Sequence, residues 1–131
     1  MFKKIASLAI VAAAATTGML MDMTPAEAGN TCKRVYMRVD NGTSKRIKVI
    51  DIDYYNPASG RYKSEPTRNR EVPAGQTWSD TRNLEQVNAR RTWIKVKYRI
   101  KKPNGRWSKV RSKTSVARTC RRGATYKVVL S

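Results

Sequence analysis

Between residues 92 and 101 the chain alternates without a break. Ile94, Val96, Tyr98 and Ile100 fall on one parity, and Trp93, Lys95, Lys97, Arg99 and Lys101 fall on the other. Period two is the repeat of a β-strand, whose successive side chains point to opposite faces of a sheet. This stretch therefore predicts a half-buried strand with an apolar inner face and a basic outer one.

Weaker forms of the same pattern recur. Val35, Met37 and Val39 alternate with Arg34, Tyr36 and Arg38, and Tyr126, Val128 and Leu130 alternate near the end of the chain. Residues 45–55 carry β-branched side chains at Ile47, Val49, Ile50 and Ile52, a strand composition. Turn residues punctuate these runs at Asp40-Asn41-Gly42-Thr43, where Asn-Gly suits positive φ, and at Asn56-Pro57-Ala58-Ser59-Gly60. Further expectations are a short strand at 61–64, a polar loop at 66–70, a corner at 72–77 and a strand near 77–83. Residues 84–91 have room for no more than a helical turn. Pro103-Asn104-Gly105 should close a hairpin onto 106–111, with Trp107, Lys109 and Arg111 on one face. A last pair of strands is expected at 116–120 and 124–130. Evenly spaced short strands, about seven of them, predict an all-β chain. The expected fold is a single antiparallel β-sandwich, immunoglobulin-like or similar, with a small OB-type barrel as the alternative.

The N-terminus sets the compartment. Lys3 and Lys4 precede an apolar run over residues 5–15, and Ala26-Glu27-Ala28 is a small-x-small sequence. These are the three regions of a secretory signal peptide, and the run is shorter than the about 20 apolar residues a spanning helix needs. Residues 1–28 are read as a signal peptide and 29–131 as a basic sandwich domain, secreted or periplasmic, with no transmembrane span after cleavage. In an oxidising compartment Cys32 and Cys120, the only cysteines, should form one disulfide. Closing so long a loop is worth roughly 4–5 kcal/mol in the chain-entropy account. The bridge should join the start of the first strand to the approach to the last.

The chain carries 28 Lys and Arg against 9 Asp and Glu, a net charge of +19. Losing residues 1–28 removes two of each sign and leaves that charge unchanged. Net charge favours solubility, but an imbalance this large destabilises the compact state by self-repulsion. Solubility is thus a poor explanation, and an anionic partner a better one. From Arg90 to Ser131 there are fifteen basic residues and no acidic one. An ordinary solvated sheet face mixes both signs.

Catalysis is poorly provided for. The chain has no histidine, and both sulfurs should be oxidised, so no enzyme and no cofactor are expected. Asp51 and Asp53 share a strand face and are weak candidates for calcium binding or a carboxylate pair. A hard cation wants six or more oxygens, so pairing with neighbouring Lys and Arg is the preferred reading of these aspartates. Arg68-Asn69-Arg70 and Arg118-Thr119-Cys120-Arg121-Arg122 are basic clusters able to meet phosphate or sulfate.

The outer row remains. Alternate strand positions lie about 7 Å apart, near the phosphate spacing of a nucleic-acid strand. Lys95, Lys97, Arg99 and Lys101 form that row, with Lys109 and Arg111 as a second row if the hairpin register brings the faces together. Trp93 and Trp107 accompany them as stacking surfaces for bases or sugar rings. The expectation is an exported non-enzymatic protein that binds a polyanion: extracellular nucleic acid, lipopolysaccharide or an acidic glycan. The alternative is a secreted effector, toxin or inhibitor docking on an acidic protein or an anionic membrane.

Overall fold

The computed structural model describes residues 30–131; the expected leader and its cleavage site lie outside the described residues. Among the described residues nine strands follow in order: β1 (Cys32–Asn41), β2 (Ile47–Asn56), β3 (Arg61–Val72), β4 (Thr77–Leu84), β5 (Arg91–Thr92), β6 (Ile94–Ile100), β7 (Arg111–Thr114), β8 (Arg118–Thr119) and β9 (Thr125–Leu130). Two main sheets hold seven of them, in the orders β9-β1-β4 and β3-β2-β6-β7, and β5 and β8 form a small ribbon. The all-β sandwich expected from the alternation is the observed architecture.

One core joins the sheets. Val35, Met37 and Val39 of β1, Ile47, Val49, Ile52 and Tyr54 of β2, and Ile94 and Val96 of β6 are fully buried. Tyr126, Val128 and Leu130 close the core from β9. Each set occupies one parity of its strand, except at a bulge in β2 between Val49 and Asp51. Two buried tyrosines keep their hydroxyls satisfied: Tyr54 donates to the Glu85 carbonyl at 3.2 Å and Tyr126 to the Arg118 carbonyl at 2.8 Å.

Cys32 and Cys120 are bonded, across 88 positions of sequence. The bridge accounts for a departure from the expected antiparallel sheet. β9 pairs with β1 in parallel, Thr125 opposite Tyr36 through Leu130 opposite Asn41. Cys32 opens β1 and Cys120 lies just ahead of β9, so both strands leave the bridge in the same direction. The other pairings are antiparallel.

Several local expectations change. Asn41-Gly42 makes a crossover between the sheets, and Gly42 is not at positive φ. Its lack of a side chain serves a close approach instead, because a Cβ there would stand 2.7 Å from the Leu130 carbonyl oxygen. Asn41 braces this crossover by donating to the carbonyls of Lys45 and Val72 at 2.8 and 2.9 Å. Residues 66–70 are not a loop but part of β3. Pro66 pairs opposite Asp51 and Arg70 opposite Val49, so Thr67, Arg68 and Asn69 stand as a bulge against the single residue Ile50. An edge strand tolerates a proline because one of its sides needs no ladder donor. Residues 85–90 form turns between β4 and β5, and Trp93 separates β5 from β6.

Candidate functional site

The outer face of the four-stranded sheet carries the predicted row. Antiparallel partners share a face, so the register assembles it strand by strand. On β2 it comprises Lys48, Asp51, Asp53 and Tyr55; on β6, Lys95, Lys97 and Arg99; on β3, Tyr62 and Ser64. Lys101 continues the β6 row and meets Trp107 in an isolated bridge.

Aromatic groups stand at both ends. At one end Trp93 stacks on Tyr55, with ring centroids 4.3 Å apart and planes 9° from parallel. Tyr62 meets both rings edge-on, and the Trp93 indole donates to its hydroxyl at 2.9 Å. The Lys95 ammonium lies 4.0 Å from the Tyr62 ring centre. At the other end the ammonium groups of Lys48 and Lys101 lie 4.5 and 5.6 Å from the Trp107 ring centre. Between them, Arg99 donates to the Ser108 carbonyl at 2.8 Å, which fixes its guanidinium beside the hairpin.

The middle of the row holds the two aspartates. Ser64 donates to both carboxylate oxygens of Asp51, at 2.7 and 2.9 Å. Asp53 is 5% exposed and pairs with Lys97 at 3.2 Å. Burial pushes the Asp53 carboxyl above its ordinary range, and contact with Asp51 pushes it further against the pull of Lys97. Asp53 thus has the cationic partner that the sequence suggested, whereas Asp51 is held by a serine, and among the described residues no third His, Cys, Asp or Glu joins the two.

The second row does not form. Had the Lys101–Trp107 bridge continued in register, Arg111 would face Lys97. Instead Arg111 pairs opposite Tyr98, one residue out of step. Ser108 causes the slip: its backbone N–H donates to the Ile100 carbonyl at 2.8 Å, while its hydroxyl accepts the Ile100 N–H at 2.9 Å. A slip of one residue moves every later side chain to the other face. Arg111 and Lys113 thus turn toward the three-stranded sheet, where Lys113 donates to the Val129 carbonyl at 2.6 Å. Lys109 is exposed in the connecting segment.

Three members of the face escaped the site expected from sequence. Tyr55 carried a partial signal, as an aromatic at a strand end. Lys48 and Tyr62 carried none, because their places depend on which strands pair.

Few carboxylates oppose this charge. The described acids pair with Arg38, Arg46, Lys63, Arg82 and Lys97, apart from Asp51, which Ser64 holds. Lys48, Lys95, Arg99 and Lys101 have no ion-pair partner among the described residues. No protein-family model matches the chain, and neither does any curated protein or solved structure. Fold and face together define a disulfide-linked, strongly basic β-sandwich whose outer sheet carries a row of cations with aromatic rings at both ends.

Proposed function

We propose that this is an exported, non-enzymatic protein that binds an acidic polymer along the outer face of the β3-β2-β6-β7 sheet. The supporting observation is the row Lys95, Lys97, Arg99 and Lys101 with an aromatic station at each end, one capped by Lys95 and the other by Lys48 and Lys101, lysines with no ion pair among the described residues. Such a face suits a chain that presents regularly spaced anions and flat rings together.

Magnitudes favour exchange of the capping lysines for ligand rings. An exposed cation–π contact is worth about 0.5–1 kcal/mol, whereas stacking a base on an aromatic side chain is worth about 1–3 kcal/mol. A base or sugar that displaces Lys48 from Trp107 also frees an ammonium for the adjoining phosphate or sulfate. The aspartates act as an internal brake: Lys97 is partly spent on Asp53, and the polymer must pass over Asp51.

Fluorescence polarisation with labelled single-stranded DNA, duplex DNA and a sulfated glycan ranks the polymers. The expected result is a submicromolar complex at about 0.15 M salt with a polymer that offers exposed rings, single-stranded DNA ahead of duplex. If every polymer dissociates at that salt, the face is only generally attractive.

One observation favours a second reading. Val116 is 81% exposed and borders a cavity of about 350 Å³ with Arg38, Arg118 and Lys127, an apolar contact ringed by cations. That arrangement suits an anionic membrane or an acidic protein. Sedimentation with anionic and neutral vesicles tests it, and it requires binding to the anionic ones alone that is lost in Val116→Ser.

A further inference from the structure

The β3 bulge builds a cavity that neither the row on β6 nor the core accounts for. Its volume is about 510 Å³, and Thr67, Arg68, Arg70, Trp78, Asp80 and Arg82 line it, between the edge strands β3 and β4. Arg68 and Asn69 adopt φ of 57° and 53°, two successive left-handed residues without a glycine. Thr67, 6% exposed, anchors the bulge by donating to the Val49 carbonyl at 2.8 Å. A bulge that merely blunts an edge strand needs one extra residue. This one has two, and presents two arginines.

The hydrogen bonds divide the charges into wall and mouth. Arg82 is a tie: it donates to Asp80 at 2.7 Å, to Glu65 at 3.3 Å and to the Pro66 carbonyl at 2.7 Å. The second Asp80 oxygen accepts the Thr81 N–H at 2.9 Å, so both oxygens of that carboxylate are occupied. Arg68 and Arg70 have no carboxylate partner among the described residues. The Arg70 guanidinium lies 5.8 Å from the Trp78 ring centre. The mouth therefore offers two guanidinium forks without a carboxylate partner among the described residues, that of Arg70 over the indole.

From this geometry we infer a second ligand site, specific for a phosphate or sulfate ester carried on a sugar ring. The ester oxygens take the paired N–H donors of Arg68 and Arg70, a geometry that guanidinium matches in two parallel bonds. The sugar ring lies against Trp78, and the volume falls in the range of small-molecule pockets. The site is separate from the β6 row and stands whether or not that row binds polymer.

Three tryptophans give three indole N–H signals in a ¹⁵N-correlated NMR spectrum, assigned by substitution. The protein is titrated with glucose 6-phosphate, glucose 6-sulfate, glucose and inorganic phosphate at constant ionic strength. Either ester should shift the Trp78 signal saturably, glucose should not, and inorganic phosphate should bind about tenfold more weakly or worse for lack of the ring. Arg68→Gln with Arg70→Gln should weaken the ester by about tenfold or more while the Trp93 and Trp107 signals stay in place. Lys95→Gln with Lys101→Gln should leave the Trp78 response unchanged, which separates this site from the polymer face. A Trp78 signal unmoved by both esters overturns the inference. So does a shift that persists undiminished in the double arginine variant.

Discussion

Asp53 is the residue at which protonation should favour the fold and the proposed binding together. Its carboxyl is buried beside Asp51, and Lys97 at 3.2 Å offsets part of the cost of charging it. Because the folded-state pKa is raised, the folded chain holds this proton more tightly than the unfolded chain does. The contribution to stability is fully present below the unfolded value of about 3.9 and is lost as pH rises through the raised one. Asp53→Asn should flatten that part of the melting profile, measured as Tm against pH in both proteins. Protonation also removes a negative charge from the basic row. Polymer affinity should therefore rise on acidification through the same window in the native protein, and less so in Asp53→Asn. Trp107 carries a simpler expectation. It is half-buried and in contact with lysine side chains, so Trp107→Ala should weaken single-stranded DNA by about tenfold, within the range of one stacked base. Denaturant titration should show a smaller effect on folding.

At the level of elements, the sequence was legible wherever one strand's own alternation sufficed. The periodicity of β6 sorted Ile94 and Val96 from Lys95 and Lys97 with no knowledge of its neighbours. What stayed hidden depended on partners. The slip at Ser108 decides whether Arg111 joins the row, yet it arises from two hydrogen bonds to Ile100 that a one-dimensional pattern does not carry. The loop expected at residues 66–70 rested on Pro66 and polar composition, and β3 absorbs both by lying at a sheet edge. Lys48 came to Trp107 through the pairing of β2 with β6, a contact between distant parts of the chain. Ser108→Ala tests the slip directly. It removes the acceptor of the half-buried Ile100 N–H and should cost about 1 kcal/mol in denaturant unfolding, the low end of the penalty for an unsatisfied donor.

For the whole molecule, the disulfide and the charge act in opposite senses. Excess positive charge expands the chain, and the Cys32–Cys120 bridge limits how far the unfolded chain can expand. Reduction, or Cys32→Ser with Cys120→Ser, should lower stability by about 2–5 kcal/mol. Hydrogen exchange should rise first along β9, whose parallel pairing with β1 starts from the bridge. The same excess makes nonspecific attraction to any polyanion inevitable, so affinity alone is not informative. The decisive quantity is how affinity depends on where the charge sits. Salt dependence of single-stranded DNA binding should be measured for the native protein and for two variants of equal net charge. Lys48→Gln, Lys95→Gln and Lys101→Gln remove three cations of the face; Lys33→Gln, Lys45→Gln and Arg122→Gln remove three exposed charges outside the strands of that sheet. The face variant should lose about 2 units from the slope of log affinity against log salt, near 0.7 for each lost phosphate contact, while the control keeps the native slope. Equal losses in the two variants would contradict a defined binding face and leave only the charge of the whole molecule.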